Sequence, residues 1–262
     1  MIPKAYITEW RNFVPWQANE QVEQDLVICR ALVEIFNDDF LREHLAFRGG
    51  TALHKLYLNP QPRYSEDIDL VQIKPEPIKE TIVRIQEKLE FLGKASVFQK
   101  QANNTLKFRF ESEFAPVQPL RLKVEINCRE HFTAFGLTEN EFEVNSEWFK
   151  GNCKIKTYEL EELLGTKLRA LYQRRKGRDL YDLSKAFQSA KPDAEKIVEV
   201  YHKYMNFSVE HPPSRKEFLR NMEAKMKDRE FLGDTTALLR PTEDYDMQAA
   251  YELIRAELIE RI

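Results

Sequence analysis

Two aspartates spaced two residues apart, Asp67 and Asp69, are the side chains in this sequence best suited to chemistry. They open a segment in which Ile68 and Leu70 are apolar, and this alternation predicts a strand that presents both carboxylates on one face. Adjacent carboxylates repel each other unless a cation lies between them, and Mg²⁺ shared with the phosphates of a nucleotide meets that need. Many solvated turns also carry an Asp-X-Asp pair, so the interpretation needs support from other residues.

A glycine pair followed by a threonine, Gly49-Gly50-Thr51, lies upstream of the aspartates. A diglycine lets backbone amides approach an anion closely, and a helix that starts at Thr51 would point further amides and its positive dipole end at the same place. The pattern predicts a strand over 45–47, a turn at the glycines, and a helix capped by Thr51 that runs to Tyr57. Taken alone, these residues also fit an ordinary tight turn before a capped helix.

A third carboxylate, Glu125, lies among apolar residues of a predicted central strand over 120–126. A buried charge needs a partner, and two metal ions bridging three carboxylates and a triphosphate would serve an in-line displacement at the α-phosphorus. The alternative is a solvent-facing residue at a sheet edge, paired with Lys123 or Arg121.

A lysine in an otherwise apolar stretch, Lys167, is the cation best placed to face inward. The densest basic cluster of the chain surrounds and follows it, with the members Arg174, Arg175, Lys176 and Arg178. Such a cluster can neutralise a triphosphate or hold an RNA backbone, although a basic run is ordinarily a solvated helix face. Asp179 and Asp182 come next, three residues apart on a predicted helix, and could share one face.

The composition limits the classes of function. The chain has 262 residues with 42% hydrophobic content, enough for a sizeable core. Its 40 basic and 43 acidic side chains give a net charge of -3, so any contact with nucleic acid must come from a local patch. No run approaches a membrane helix and the amino-terminal residues lack a signal segment, so we expect a cytoplasmic protein. The three cysteines are far apart and are predicted to be buried thiols.

Hydrophobic periodicity predicts an α+β fold, with a mixed-sheet core and flanking helices followed by a helical carboxy-terminal domain. An amphipathic helix is expected over 19–40 and another over 78–92, with strands at 45–47, 68–73, 95–99, 105–110, 120–126 and 153–157. Helices are then expected over 160–174, 178–187, 194–204, 214–228 and 247–262. We therefore predict two domains, residues 1–157 with the sheet and residues 158–262, which supply Lys167 and Asp182.

Taken together, the runs Gly49–Leu53 and Arg63–Leu70, then Lys167 and the run Arg178–Leu183, resemble the AbiEii/AbiGii toxin family of nucleotidyltransferases. The likeness spans about Trp10 to Leu183. It implies a core like that of DNA polymerase β, a requirement for Mg²⁺, and transfer of a nucleotide from an NTP to an acceptor. In members related to the MenT toxins the acceptor is the 3′ end of tRNA. Such toxins are usually encoded with an antitoxin, in many cases a DNA-binding protein of the AbiEi type.

The resemblance also implies roles for individual residues. Gly49, Gly50 and Thr51 would hold the triphosphate, Asp67 and Asp69 the metal ions, and Lys167 the phosphates of the nucleotide. Glu125 takes the place of a third catalytic carboxylate, a position that varies in the family. One acid of the pair Asp179 and Asp182 belongs to the last motif. Apart from the resemblance, the density of basic side chains predicts that residues 174–176 and 178 contact RNA.

Three other functions compete with this one. Relatives of the fold transfer nucleotides to a small molecule or to a protein side chain, and a protein that had kept the fold without catalysis would be a nucleotide-binding module. Retention of both aspartates together with Lys167 counts against a non-catalytic module, because it would have no electrostatic reason to keep them. Glycosyltransferases also use a metal-binding Asp-X-Asp pair, but they have no need of the upstream glycine turn.

Overall fold

The computed structural model describes residues 2–14, 16–100 and 102–262. The chain divides into two compact units, Met1–Tyr158 and Glu159–Ile262. Among the described residues, no helix is both long and apolar enough to cross a membrane. All three cysteines are free thiols, of which Cys29 and Cys153 are buried and Cys128 is half-buried.

The first unit is a mixed sheet with helices packed against it. Its helices are α1 (Lys4–Trp10), α2 (Asn19–Phe36), α3 (Asp39–His44), α4 (Gly49–Leu56) and α5 (Lys79–Lys88), followed by a 3-10 turn at Glu90–Leu92. Its strands are β1 (Leu45–Arg48), β2 (Asp67–Gln72), β3 (Ser96–Lys100), β4 (Asn103–Glu111), β5 (Pro119–Asn127), β6 (Leu137–Asn145) and β7 (Lys150–Tyr158). They form one sheet in the order β3-β4-β5-β2-β1-β7-β6. The predicted fold class, a mixed sheet with flanking helices and a helical second half, is confirmed.

Three strands at the centre of this sheet carry the candidate site. β2 pairs antiparallel with β1 and parallel with β5. Their apolar side chains, among them Phe47, Ile68 and Val124, are fully buried. The long helix α2 packs against β5, β6 and β7, and its residues Val22–Cys29 are buried without interruption. A shift of one residue in strand register would turn these buried side chains to the opposite face of the sheet, so the register is strongly specified.

The second unit is helical. Its helices are α6 (Leu160–Gln173), α7 (Gly177–Ala190), α8 (Ala194–Ser208), α9 (Arg215–Lys225), α10 (Arg229–Gly233) and α11 (Met247–Glu257), with a 3-10 turn at Ile259–Arg261. α6 packs on α8, α7 packs on α11, and α6 also contacts α7. Several helices begin at a capping side chain, for example Asp193 before α8 and Ser214 before α9.

Two expectations about helix ends are wrong. The helix expected over 19–40 ends at Phe36, and a separate short helix α3 begins after Asp38, whose carboxylate accepts the N–H of Leu41 at 3.0 Å. The run of Asn37, Asp38 and Asp39 favours caps over a continuous helix. The helix expected to be capped by Thr51 begins two residues earlier at Gly49, so both glycines belong to its first turn.

A buried acid on α2 makes the stability of the first unit depend on pH. Glu23 is fully buried, its Oε2 accepts the N–H of Glu113 at 3.0 Å, and its Oε1 has no partner among the described atoms. Burial, assisted by the charge of Glu20, raises the pKa of Glu23 to about 7. The folded chain therefore holds this proton at pH values where the unfolded chain has lost it, and stability falls as pH rises from about 4.5 to about 7.

We expect Glu23→Gln to stabilise the protein by about 1–2 kcal/mol at pH 8, because the amide keeps the acceptor oxygen without a buried charge. At pH 5 the variant and the wild type should be nearly equal. Urea unfolding at the two pH values measures the difference. The control is Glu34→Gln, which replaces a half-buried glutamate of the same helix. If Glu23→Gln raised the free energy of unfolding by the same amount at pH 5 and pH 8, the raised pKa of Glu23 would be contradicted.

Candidate active site

The parallel pairing of β2 with β5 brings charged side chains together on one face of the sheet. In this register Asp67 is the partner of Lys123, and Asp69 is the partner of Glu125. Since successive side chains alternate, these four side chains point to the face opposite the buried Ile68 and Leu70. The prediction that Asp67 and Asp69 share one face of a strand is confirmed.

The side chain of Lys123 forms an ion pair with Glu125. Its Nζ lies 3.0 Å from Oε1 of Glu125 and 3.8 Å from Oδ2 of Asp67. Thr105 of β4 donates its hydroxyl to the same Oε1 of Glu125 at 3.4 Å. The expectation of a buried Glu125 is wrong, because its side chain is 41% exposed. The alternative was half right: Glu125 does pair with Lys123, but on a central strand instead of an edge.

The environment of Asp67 disfavours its charged form. Burial raises the pKa of Asp67 to about 6, the nearby Lys123 partly offsets this rise, and the neighbouring charges of Asp69, Glu66 and Glu125 add to it. A further cation beside Asp67 would stabilise its charged form, because the cation would replace the solvation that burial removes.

The glycine turn lies directly against the carboxylate of Asp69. Gly49 has φ +81°, in the left-handed region that glycine adopts without strain, and a Cβ built on it would lie 2.2 Å from Oδ2 of Asp69. Thr51 connects this turn to β2, since its hydroxyl bonds Ser65 Oγ at 2.8 Å and donates to the backbone oxygen of Asp67. The amides at the start of α4 have no partners within the helix and are available to an anion.

An arginine that the sequence analysis did not single out borders this site. Arg48, the last residue of β1, is the antiparallel partner of Asp69. Directly opposed residues share a face, so its side chain lies on the carboxylate side, where its guanidinium bonds Glu130. Burial alone would lower the pKa of Arg48, but Glu130, with smaller help from Asp69, raises it. Its position immediately before the glycine pair is the signal that could have identified it.

A glutamine from α2 holds the two site strands together, and it too was missed. Gln24 is buried, and its Nε2 donates to the backbone oxygen of Glu66 at 3.1 Å and to that of Arg121 at 2.9 Å. Glu66 directly precedes Asp67, and Arg121 lies two residues before Lys123. One side chain therefore bonds the ends of β2 and β5 from which the charged residues project.

Asp67 and Asp69 fit a magnesium ion, whereas Glu125 does not fit one as it stands. Mg²⁺ usually binds one or two carboxylates and completes its shell with water and substrate phosphates. Asp67 and Asp69 supply that number of ligands beside an anion-binding turn. Among residues 2–14, 16–100 and 102–262, no group of three or more His, Cys, Asp or Glu side chains is arranged to hold a metal ion. Glu125 is occupied by Lys123.

The predicted residues of the second unit form a buried ionic cluster of their own. Lys167 is buried as predicted, with its Nζ 3.1 Å from Asp179 Oδ1 and 2.9 Å from Asp182 Oδ2. Arg174 donates to both carboxylate oxygens of Asp179, to Oδ2 at 2.6 Å and to Oδ1 at 2.7 Å. Burial alone would raise the pKa of Asp179, but Lys167 and Arg174 hold it below its ordinary value. Both acids thus share one helix face, as predicted.

The basic residues expected to contact RNA each have an acidic partner within the second unit. Arg174 binds Asp179, and Arg175 lies 3.4 Å from Asp228. Lys176 lies 3.1 Å from Glu230 and 3.6 Å from Asp234, and Arg178 lies 3.1 Å from Asp234. These pairs reduce the positive charge that the cluster offers to a phosphate backbone.

Residues 30–253 match the model of a protein family described as "Nucleotidyl transferase AbiEii toxin, Type IV TA system". The chain belongs to the AbiEii toxin family. It is therefore a nucleotidyltransferase toxin of a type IV toxin–antitoxin system, and an antitoxin partner is implied. The resemblance inferred from the sequence motifs is confirmed.

Two solved structures share the AbiEii fold of this chain. The nucleotidyltransferase toxin MenT4 of Mycobacterium tuberculosis H37Rv superimposes with a TM-score of 0.69 at 17% identity, covering 100% of this chain and 91% of that one. A nucleotidyltransferase structure from H. pylori superimposes with a TM-score of 0.53 at 18% identity, covering 93% of this chain and 96% of that one. Comparison with curated proteins yields no significant match.

Gln24 of this AbiEii chain should affect catalysis more than an equally buried glutamine elsewhere. Gln72, at the far end of β2, is buried and donates one hydrogen bond to the backbone oxygen of Glu76 at 2.8 Å. We expect Gln24→Met and Gln72→Met each to lose about 1–2 kcal/mol of unfolding free energy, since each removes the hydrogen bonds that a buried amide group donates to backbone oxygens. Only Gln24→Met should also slow nucleotide transfer, by about tenfold, because it loosens the strands that carry the carboxylates.

Urea unfolding and initial transfer rates measured side by side on the two variants separate the effects. Equal losses of rate in Gln24→Met and Gln72→Met would mean that Gln24 only stabilises the fold.

Proposed function

We propose that this chain transfers a nucleotide from an NTP to an RNA acceptor, the 3′ end of tRNA, in a Mg²⁺-dependent reaction in the cytoplasm. The observation that carries the proposal is the placement of Asp67 and Asp69 on one face of β2, with Asp69 directly against the glycine turn that begins α4. A cation-binding pair and an anion-binding turn in contact suit a metal-bound triphosphate.

Each element of this site has a task in the transfer. The amides of Gly49, Gly50 and Thr51 would hold the triphosphate, and the left-handed Gly49 lets it approach Asp69 without obstruction by a side chain. Asp67 and Asp69 would hold Mg²⁺, which supplies neutralisation of charge on the α-phosphate and the leaving group when bound. The acceptor oxygen forms a bond to the α-phosphorus as the bond to pyrophosphate breaks, and the proton of the acceptor hydroxyl passes to water.

The second unit would assist through its buried cluster. By the resemblance stated above, Lys167 interacts with the phosphates of the nucleotide and Asp182 or Asp179 belongs to the last motif. Both acids contact the ammonium of Lys167, so either one would position that lysine. Arg174 also binds Asp179. The proposal therefore keeps both Asp179 and Asp182 as candidates for the acid of the last motif.

The acceptor and the antitoxin are proposed from the family. Toxicity by blocked aminoacylation follows from transfer to the tRNA 3′ end, and an AbiEi-like protein would be the cognate antitoxin. The paired state of Arg174, Arg175, Lys176 and Arg178 favours a second candidate, transfer to a small molecule or a protein side chain. An acceptor of that kind does not need an uncompensated basic surface.

Purified protein incubated with total tRNA, Mg²⁺ and each labelled NTP in turn tests the proposal. The matched control is Asp67→Asn/Asp69→Asn, which removes both charges at nearly unchanged volume. We expect label on tRNA from the wild type, lost by at least about 1,000-fold in the control, because the charge that stabilises the transition state is gone. Label that persists in the control would overturn the metal site.

The same assay separates the alternatives. Incubation without RNA, but with cell-extract metabolites or proteins, should give no labelled product if tRNA is the acceptor. Label on a small molecule or protein and none on tRNA would replace the acceptor in the proposal. Binding of NTP with Mg²⁺, yet no pyrophosphate released with any acceptor, would instead indicate a non-catalytic nucleotide-binding module.

A further inference from the structure

We propose that Lys123 is a built-in cation of the carboxylate site, taking the position beside Glu125 that a second metal ion would need, so that Asp67 and Asp69 bind one divalent cation. Glu125 is then a positioning residue for Lys123 and not a metal ligand. The inference rests on the metal-binding site of the proposed function and specifies how many cations the protein itself holds there.

The geometry places the ammonium group between carboxylates. Lys123 Nζ is 3.0 Å from Glu125 Oε1 and 3.8 Å from Asp67 Oδ2, and its side chain is only 25% exposed. The strand register produces this arrangement, because Lys123 is the partner of Asp67 and Glu125 is the partner of Asp69. A divalent ion bound jointly by Asp67 and Glu125 would have to displace the ammonium group from the space it occupies.

A second side chain also contacts the carboxylate of Glu125. The Thr105 hydroxyl donates to the same Oε1 that Lys123 contacts. The carboxylate of Glu125 is thus bound by two donors from β4 and β5. Asp69 lies against the glycine turn instead. The two acids therefore differ in their surroundings: Glu125 contacts a lysine of the protein, and Asp69 borders the turn proposed to bind phosphate.

The neighbouring lysine shows that this contact is specific. Lys107 of β4 is the register partner of Lys123, yet its ammonium lies over the ring of Phe98, 4.7 Å from the ring centroid. Two lysines side by side on the same sheet face thus have different tasks. Of these two lysines, only Lys123 contacts Asp67 and Glu125 among the described ion pairs.

Binding of Mn²⁺ in the absence of nucleotide, followed by electron paramagnetic resonance on the full chain, tests the inference without reference to activity. We expect the wild type to bind one ion, and Asp69→Asn to weaken it by at least about tenfold. Glu125→Gln should leave the affinity within about threefold, because the amide oxygen still accepts from Lys123. Lys123→Met should tighten binding by about tenfold or more, or add a second ion, since a competing charge is gone.

Two further variants complete the design. Lys123→Arg keeps the charge and should keep the wild-type affinity, while Lys107→Met should change nothing. Adding Glu125→Gln to Lys123→Met should cancel the gain, because Glu125 is the carboxylate that the lysine releases. Thermal denaturation of each variant confirms that it is folded at the temperature of the titration.

The inference is overturned if Glu125→Gln weakens Mn²⁺ binding as much as Asp69→Asn does, or if Lys123→Met leaves it unchanged. The inference is also overturned if the wild type binds no Mn²⁺ and the Lys123→Met variant binds none either. Failure of the proposed function has a different signature, namely no labelled product from a wild type whose Mn²⁺ titrations follow the expected pattern.

Discussion

Gly49→Ala should lower nucleotide transfer by at least about 100-fold. The added Cβ would lie 2.2 Å from Oδ2 of Asp69, so the carboxylate must move away from the turn against which it now packs. A displacement of about 1 Å in a catalytic group is enough for a loss of this size. The variant should also lose about 1–2 kcal/mol of stability, because alanine is strained at φ +81°.

Gly93→Ala is the matched control for this prediction. Gly93 has nearly the same backbone angle, φ +78°, but a Cβ there meets no atom within 4 Å. Because its φ is positive as well, alanine there should also be strained and lower stability, while the transfer rate should stay within about twofold of the wild type. Urea unfolding measures the loss of stability in both variants, and initial rates measure the loss of nucleotide transfer. Similar rates for the two would show that Asp69 does not need its present position.

Lys167→Met should destabilise the helical unit by about 3–5 kcal/mol. The substitution removes the ammonium from between Asp179 and Asp182, both fully buried, and a buried carboxylate that loses its counter-charge is costly. Arg174 continues to bind Asp179 in the variant, which limits the loss at that acid. Urea unfolding followed by circular dichroism measures this loss.

Lys176→Met tests whether burial is the cause. Lys176 also contacts two acids, Glu230 and Asp234, but its side chain is 37% exposed. Exposed pairs contribute little, so this variant should lose less than about 1 kcal/mol. Equal losses in the two lysine variants would indicate that the ion pairs of Lys167 are no more important than those at the surface.

The parts of the site that sequence predicts well depend on short-range periodicity. Asp67 and Asp69 share a face because side chains alternate along a strand, and the apolar Ile68 and Leu70 between them reveal which face is buried. The same rule puts Lys123 on the side of Glu125. For Lys167, the surrounding leucines on helix α6 were enough to predict that it points inward. Each of these inferences needs only residues within a few positions.

The contacts that sequence did not predict join distant segments. Gln24 bonds the backbone 42 and 97 residues away, and Arg48 binds an acid 82 residues away. Hydrophobic period carries no information about such pairs. The basic cluster after Lys167 shows the same limit, because Arg175, Lys176 and Arg178 are visible as a run while their acids lie more than 50 residues further on. The acids that neutralise a run of basic residues can be identified only when the fold is known.

Strand β6 was missed for a different reason. It is an edge strand whose side chains are mostly half-buried or exposed, with acids at Glu139, Glu141 and Glu143. A strand without a buried face lacks the alternation of apolar residues by which strands are recognised. Its acids stand opposite Lys156, Lys154 and Asn152 of β7, so cross-strand pairs stabilise it instead.

The hydroxyl of Thr51 gives the site a thermodynamic property. This hydroxyl bonds Ser65 and the backbone of Asp67. It therefore couples the helix start that would bind phosphate to the strand that would bind the cation. A ligand that orders the helix start also orders the aspartates, so the second ligand finds its site already organised. If the proposed function holds, linkage makes this effect reciprocal: the factor by which NTP raises the affinity for the cation equals the factor by which the cation raises the affinity for NTP.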